Sequence, residues 1–361
     1  MRLTRYLKGD LEQRSVFDVL RASGCMSVLR PWVGGEGTIF VLHRVCADGD
    51  TPLAPMFLTA GTLDTMLAAV RDAGCDILSL DDMRRRLMTG TRGRPFAVFT
   101  LDDGYLDNLS VALPVFERHR APFCVYVCTG FIERRLDPWW AILDRLVNEN
   151  LELSLAMPGV PEARWSCVTR AEKEAAYAAL WDRLFPNDEQ AAQIRARLYA
   201  HYGINPGVEM DRIAMTWPQV LELASHPLVT LGAHTVSHPV LPRLSEPSAR
   251  EELQGGREEL ESRLGRPVRH VAYPFGLLGR REIRIASSLG FETATTTESG
   301  NLFPEHAGQL HCLPRRNFYE NTAAPDRARA ARFVRNALSG CDILVNAIRG
   351  RPRKVTEERW S

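Results

Sequence analysis

Short β-rich apolar runs alternate with helix-period patterns along most of this chain, a rhythm that predicts a parallel sheet built from βα units. Residues 38–42 (TIFVL) form the first expected strand. In the helix that follows, Leu63, Met66, Leu67 and Val70 share one face, and Gly74 is the stop. Residues 77–78 are a short strand, and Ser79 with Asp82 opens the next helix in the manner of a capping box. FAVFTL (Phe96–Leu101) and FCVYVC (residues 123–128) are buried strands, each followed by a helical stretch, the second over residues 139–147.

Between about 151 and 211 the rhythm changes. Helical patterns at residues 172–184 and 189–202 have no convincing strand between them, which predicts a helical insertion rather than a second domain. The βα rhythm resumes with a helix from Thr216, a strand at Val229–Ala233, a helix at 249–264 and a strand at 268–273. A helix at Arg280–Ser288 and a strand at 291–296 complete it, and residues 327–348 have the pattern of an amphipathic helix. About seven strands at such regular spacing predict an α/β fold, a (β/α) barrel of the TIM type, seven-stranded or distorted. A doubly wound open sheet is the alternative, but no GxGxxG follows the first strand. The expected organisation is an N-terminal helical extension (1–37), a barrel (38–320) with its insertion at about 151–211, and a C-terminal amphipathic helix with a basic tail (321–361).

Composition narrows the classes. The 361 residues are 45% hydrophobic and 25% charged, ordinary for a globular chain with a sizeable core. A net charge of +1 gives no general reason to expect a nucleic-acid partner. The eight cysteines are scattered and include no CxxC pair, so buried free thiols and a reducing compartment are expected. The first residues, MRLTRYLKGDLEQRS, lack the uninterrupted apolar stretch of a secretory signal, and no segment approaches the roughly 18 apolar residues of a membrane span. These points suggest a cytoplasmic protein. Basic residues cluster at both ends, and the 327–348 helix, with Phe333, Val334 and Leu338 apolar, suits either peripheral association with the inner membrane surface or docking on the barrel.

The polar residues that follow predicted strands carry the chemistry. His43 follows the first strand, Asp102 and Asp103 follow FAVFTL, His234 and His238 follow VTLGA, and Tyr273-Pro274-Phe275-Gly276 follows the next strand. In a parallel barrel the C-terminal strand ends converge on one face, so residues distant in sequence meet there. Alternation sends the carboxylates of Asp102 and Asp103 in different directions and suits them to separate roles. A lone DDG is more often a helix cap or an Asx turn. His234 and His238, at i and i+4, reach one side of a turn, and Pro239 keeps that turn out of a regular helix. Two histidines and a carboxylate make a usual catalytic zinc set, also fit for iron or cobalt, whereas HxxxH alone is equally a surface pair.

Taken together, these motifs resemble those of a known family. Thr100-Leu101-Asp102-Asp103-Gly104 is similar to the TFDDG signature of the polysaccharide deacetylase (NodB-homology) family of carbohydrate esterases. His234-Thr235-Val236-Ser237-His238 resembles its H(S/T)xxH signature, and Ala272-Tyr273-Pro274-Phe275-Gly276 its third motif. Leu42-His43-Arg44-Val45 is similar to the YHRV strand common in the family, and Leu313-Pro314-Arg315 to a segment of an exopolysaccharide-type bacterial branch. The resemblance implies a divalent metal, zinc first with cobalt, nickel or iron as alternatives, held by Asp103, His234 and His238. It implies Asp102 as general base, Tyr273 and Phe275 as substrate-binding residues, and the Phe275 N–H as a donor to the oxyanion.

Two positions depart from the family pattern. Where an Arg often orients the base, this chain has Ala272. The general acid is usually a His in a late Leu-His motif, which by order points to His311; His306 is a weaker choice, and either is equally a surface histidine. Trp139 and Trp140 are a sugar platform or, more commonly, core anchors, and His43 is a hydrogen-bonding neighbour of the site rather than a ligand. The implied function is de-N-acetylation of an N-acetylated carbohydrate, in a bacterial glycan or lipid-linked glycan precursor. The alternative is a catalytically silent carbohydrate-binding protein on the same barrel.

Overall fold

The expected βα rhythm becomes a single curled sheet whose strand ends gather the polar residues just named. The computed structural model describes residues 33–340 apart from Thr51, Pro55, Arg92, 158–159, 185–188 and 321–323. Most of the N-terminal extension and the basic tail beyond 340 lie outside the described residues. β1 (Gly37–Leu42), β2 (Arg44–Cys46) and β3 (Phe57–Thr59) lead into α1 (Ala60–Asp72), and β4 (Asp76–Ile77) into α2 (Leu80–Thr89). β5 (Phe96–Leu101) is followed by a π-helical turn and α3 (Leu113–Arg118), and β6 (Phe123–Val127) by the one-turn α4 (Thr129–Ile132) and α5 (Trp139–Glu149). The insertion holds β7 (Glu152–Met157), β8 (Val160–Ser166), α6 (Arg170–Leu184), α7 (Glu189–Tyr202) and α8 (Pro206–Ile213). There follow α9 (Trp217–Ser225), β9 (Val229–Ala233), α10 (Glu246–Leu264), β10 (His270–Ala272), α11 (Arg280–Ser288), β11 (Thr293–Thr295), β12 (Arg316–Asn317) and α12 (Arg327–Ser339).

The strands of the main sheet run parallel in the order β11-β10-β9-β6-β5-β1-β12. β4 pairs with the first residues of β5, opposite Phe96 and Ala97, and β6 with its later ones. One segment ties the two edges together. Leu313 forms a parallel bridge with Thr295 at the end of β11, and three residues on Arg316 sits opposite Phe40 of β1. The sheet therefore curls into a distorted (β/α) barrel, with Ile39, Phe96, Val98, Cys124, Tyr126 and Leu313 buried on its inner face. Phe40, Phe99 and Leu101, one residue out of step, point outwards into the core beneath the helices.

Local chemistry starts the helices where expected. Thr59 accepts from the Thr62 N–H at the head of α1, and Ser79 from the Asp82 N–H at the head of α2. The insertion is not wholly helical, as the pattern had suggested. It opens with the antiparallel hairpin β7–β8, in which Leu153 and Leu155 are buried. The alternation in ELSLAM is short, and its partner carries Pro161 and Glu162, residue types that argue against a strand. The insertion joins Phe131, Trp139, Trp140 and Tyr105 in a second apolar cluster beside the barrel mouth.

α12 ends at Ser339, short of the expected 348, and residues 341–348 lie outside the described chain. Its Ala330, Val334, Ala337 and Leu338 are buried, and Phe333 packs against Phe40 and Phe318. The apolar face proposed for a membrane surface is thus turned onto the barrel. No helix among the described residues is long and apolar enough to cross a membrane. Cys46, Cys124, Cys128 and Cys167 are buried free thiols.

Candidate active site

β5 delivers the two aspartates by continuing past its last residue. The Asp102 N–H donates to Leu42 O at 3.0 Å, so Asp102 extends the ladder with β1 and shares the inner face with Phe96, Val98 and Thr100. Asp103 then takes a left-handed conformation (φ 78), and Gly104 follows at φ 94. This turn breaks the strict alternation expected of a strand, so the Asp103 carboxylate lies against His234 while that of Asp102 lies near His43. A non-glycine residue in that region is a costly conformation that clusters at functional sites. β9 supplies the histidines in the same way, with the His234 N–H donating to Val127 O at 2.9 Å. The chain then turns back through Thr235 (φ 62) and His238 (φ 53), so HTVSH is a strained loop rather than a helical turn.

One ligand atom from each of Asp103, His234 and His238 lies within 4.8 Å of the others. Asp103 Oδ1 is 3.4 Å from His234 Nε2 and 3.5 Å from His238 Nε2, and this buried oxygen has no hydrogen bond. His234 Nδ1 is 2.8 Å from Ala272 O, which fixes the proton on Nδ1 and turns the Nε2 lone pair inwards. An orphaned carboxylate oxygen facing two imidazole nitrogens is a donor set that fits a divalent cation.

The electrostatics agree. Burial opposes ionisation of Asp103, yet His234 against it and the nearby His238 hold its pKa far below the carboxylate range. Burial would depress His234, but the Asp103 and Asp102 carboxylates outweigh it and raise its pKa. His238 is pushed down to about 4, chiefly by burial, and is neutral at pH 7.

Asp102 has a different partner. Arg315, fully buried, forms a fork on it: Nη1 to Oδ1 and Nη2 to Oδ2, both at 2.7 Å. The remaining guanidinium contacts are Nε to Thr296 O at 2.8 Å and Nη1 to Thr100 Oγ1 at 3.1 Å. Burial alone would raise the Asp102 pKa, but the charge and hydrogen bonds of Arg315 lower it, keeping the carboxylate ionised. His43 Nε2 lies 3.9 Å from Asp102 Oδ2, with 30% of its side chain exposed.

Residues 194–294 match the model of the polysaccharide deacetylase family, a span that takes in the His234–His238 loop and the turn after β10. Over that span the chain resembles the polysaccharide deacetylase family. No curated protein matches it in sequence. Among solved structures it resembles IcaB from Ammonifex degensii, with a TM-score of 0.54 and 16% identity over 84% of this chain and 97% of that one. It also resembles the Streptococcus pyogenes deacetylase PplD in complex with acetate, with a TM-score of 0.51 and 17% identity over 78% of this chain and 92% of that one. A third similar structure is BC0361, a polysaccharide deacetylase from Bacillus cereus, with a TM-score of 0.51 and 14% identity over 83% of this chain and 68% of that one. At such identities these structures speak for the fold.

Several expected site residues fall elsewhere. His311 sits at the opposite end of the sheet: its Nε2 is 2.7 Å from Phe291 O, and Phe291 precedes β11. A parallel strand that carries Arg315 to the mouth must carry a residue four positions earlier towards the base. His306 is buried in a turn and bonds to Phe303, beside the Leu302 that pairs with Gly37 at the start of β1. Tyr273 is also displaced: fully buried in the outer core, it donates its hydroxyl to His311 O at 2.9 Å and cannot touch a substrate. Phe275 does reach the mouth, half-buried, its ring 4.6 Å from that of His238.

Trp139 is a core residue packed on Trp181. Trp140 reaches the edge of the site, 6.0 Å from the His238 ring, with its N–H donated to Tyr105 OH at 2.7 Å. The residue missed in the sequence is Arg315. From the segment before β12 it makes a contact with Asp102 that Ala272 on β10 cannot, and Leu313-Pro314-Arg315 is its only sequence signal.

Proposed function

We propose that this protein is a metal-dependent de-N-acetylase that hydrolyses the acetamide of an N-acetylated sugar, in a bacterial glycan or a lipid-linked glycan precursor. The observation that carries this reading is the pairing of the Asp103–His234–His238 donor set, whose Asp103 Oδ1 has no hydrogen bond, with an ionised Asp102 held by Arg315. PplD, described as a deacetylase in complex with acetate, bears the product expected of the same reaction.

Asp103, His234 and His238 would hold a divalent cation, zinc first. When bound, such an ion lowers the pKa of a water and polarises the acetyl carbonyl. Asp102 accepts the proton of the attacking water as its oxygen adds to the carbonyl carbon. Arg315 keeps that carboxylate ionised and aimed while the proton is still on the water. The C–N bond then breaks, releasing acetate and an amine that must gain a proton. We assign that donation to His43, since no other imidazole outside the triad contacts Asp102 among the described residues. Phe275 and Trp140 flank His238 and would form the walls against the sugar. The silent-binder alternative rests on Ala272 and on the uncertain general acid; Arg315 beside Asp102 speaks against the first ground, and the second turns on the test of His43.

The direct test is acetate release from N-acetylated oligosaccharides before and after chelation. Release should fall to background with chelator and return with Zn²⁺ or Co²⁺; release that survives chelation overturns the reading. A second comparison separates the candidate acids. His43→Gln should lower kcat by roughly 10²-fold or more, whereas His311→Gln should leave it unchanged. The reverse result would return the role to His311.

A further inference from the structure

The HTVSH loop owes its shape to a neighbouring helix. Thr235 and His238 both have positive φ (62 and 53), conformations that persist only where surrounding contacts over-determine them. From α10, one oxygen of the Glu252 carboxylate accepts the Val236 N–H at 3.0 Å and the Ser237 N–H at 2.8 Å, and the other accepts the Ser237 hydroxyl. Successive backbone N–H groups converging on one anion form a nest, here filled by the protein's own carboxylate. One turn further along the same helix face, Gly256 meets the loop backbone. A Cβ there would lie 2.7 Å from the carbonyl carbon and oxygen of Thr235. On the other side, the Gly130 N–H donates to Val236 O at 2.8 Å and the Thr129 N–H to Thr235 O at 3.3 Å.

We propose that Glu252 and Gly256 are positioning residues: together they form a docking face on α10 that fixes the loop and so sets His238 for metal binding. Glu252 touches neither the triad side chains nor, on the reading above, the substrate. Its effect passes through residues 236 and 237 to the backbone of His238, whose own N–H is held by Thr235 Oγ1 at 3.1 Å. This inference rests on the metal reading of the site, and its test separates the two.

The experiment is a Co²⁺ and Zn²⁺ titration of the full chain against a competing chromophoric chelator, with Co²⁺ absorption spectra and thermal melts of the metal-free protein. Glu252→Met removes every acceptor and should weaken metal binding by roughly 10–100-fold, the usual effect of losing a group that supports a ligand. It should also alter the Co²⁺ spectrum. Glu252→Gln keeps one oxygen for both N–H groups and can donate to the Ser237 hydroxyl, so it should stay within about threefold of wild type. Gly256→Ala pushes the loop from the same side and should reproduce the Met variant's loss.

If Glu252→Met melts lower but, while folded, binds Co²⁺ with wild-type affinity and spectrum, the residue is merely structural and the proposal is overturned. Where the Met variant fails to fold, Glu252→Asp, one methylene shorter, carries the same comparison. A wild-type protein that takes up neither ion overturns the metal reading itself. Metal binding by wild type with no loss in the variants overturns only the clamp.

Discussion

Replacing Asp102 with Asn is expected to lower kcat for acetate release by a factor on the order of 10² to 10⁴, the usual contribution of a positioned general base. The substitution conserves shape, so the loss should come from chemistry and from one specific mismatch. Arg315 presents a donor to each carboxylate oxygen, and an Asn offers only one acceptor, so one guanidinium N–H would face an amide N–H. Metal affinity should change far less than kcat, because the expected ligands are Asp103, His234 and His238. The check is steady-state acetate release beside a metal titration of the same preparation. A variant with near wild-type kcat would remove Asp102 from the mechanism, and one that loses metal instead would make it a ligand.

Arg315→Met should have the largest effect on stability. It removes one partner of a fully buried ion pair and strands Asp102 without its counter-charge, a change that costs about 3–5 kcal/mol. The sign of the pH dependence follows from the direction of the Asp102 shift. Its folded pKa lies below the ordinary carboxylate value, so the stability it contributes is present above that value and is lost as pH falls through the folded pKa. In the variant Asp102 is buried without that partner and its pKa must rise. The gap between wild type and variant should therefore be widest near neutral pH and narrow on acidification. Urea unfolding of the metal-free proteins across that range measures this, and a gap under about 1 kcal/mol at pH 7 would contradict it. The acid limb of the variant's rate profile should also move to higher pH, since its base must lose a more tightly held proton.

The two variants bear on one question, how an ionised carboxylate survives inside this barrel. Asp102 and Thr100 lie on the inner face of β5 because alternate residues of a strand share a side, and that much is implicit in FAVFTL-DDG. The counter-charge comes from more than two hundred positions later, at a place where a short segment touches both edge strands and closes the sheet. Strand pairing at that range leaves no local pattern, and β12 is only two residues long. The Arg that pairs with Asp102 therefore comes from the segment before β12, not from the Ala272 position on β10.

The misplacement of His311 has the same origin. Order along the chain suggested an acid after a late Leu-His, but direction along the strand decides which end of the barrel a residue reaches. Since Arg315 is at the mouth, His311 is at the base. Tyr273 shows the complementary effect: it ends β10 as expected but faces the outer core, while Phe275, two residues on in a left-handed turn (φ 58), faces the site.

The sequence by itself determined the parallel βα framework, the helix starts at Thr59 and Ser79, and the strand ends from which Asp102, Asp103, His234 and His238 emerge. These follow from periodicity and capping, which act over a few residues. Only the tertiary structure decided which polar groups meet. Left-handed turns at Asp103, Thr235 and His238 bring the donor atoms together, while Arg315 and His43 reach Asp102, and Glu252 the HTVSH loop, from distant segments. Such contacts depend on the closure of the sheet and on close backbone packing, which no local pattern of hydrophobic and polar positions encodes.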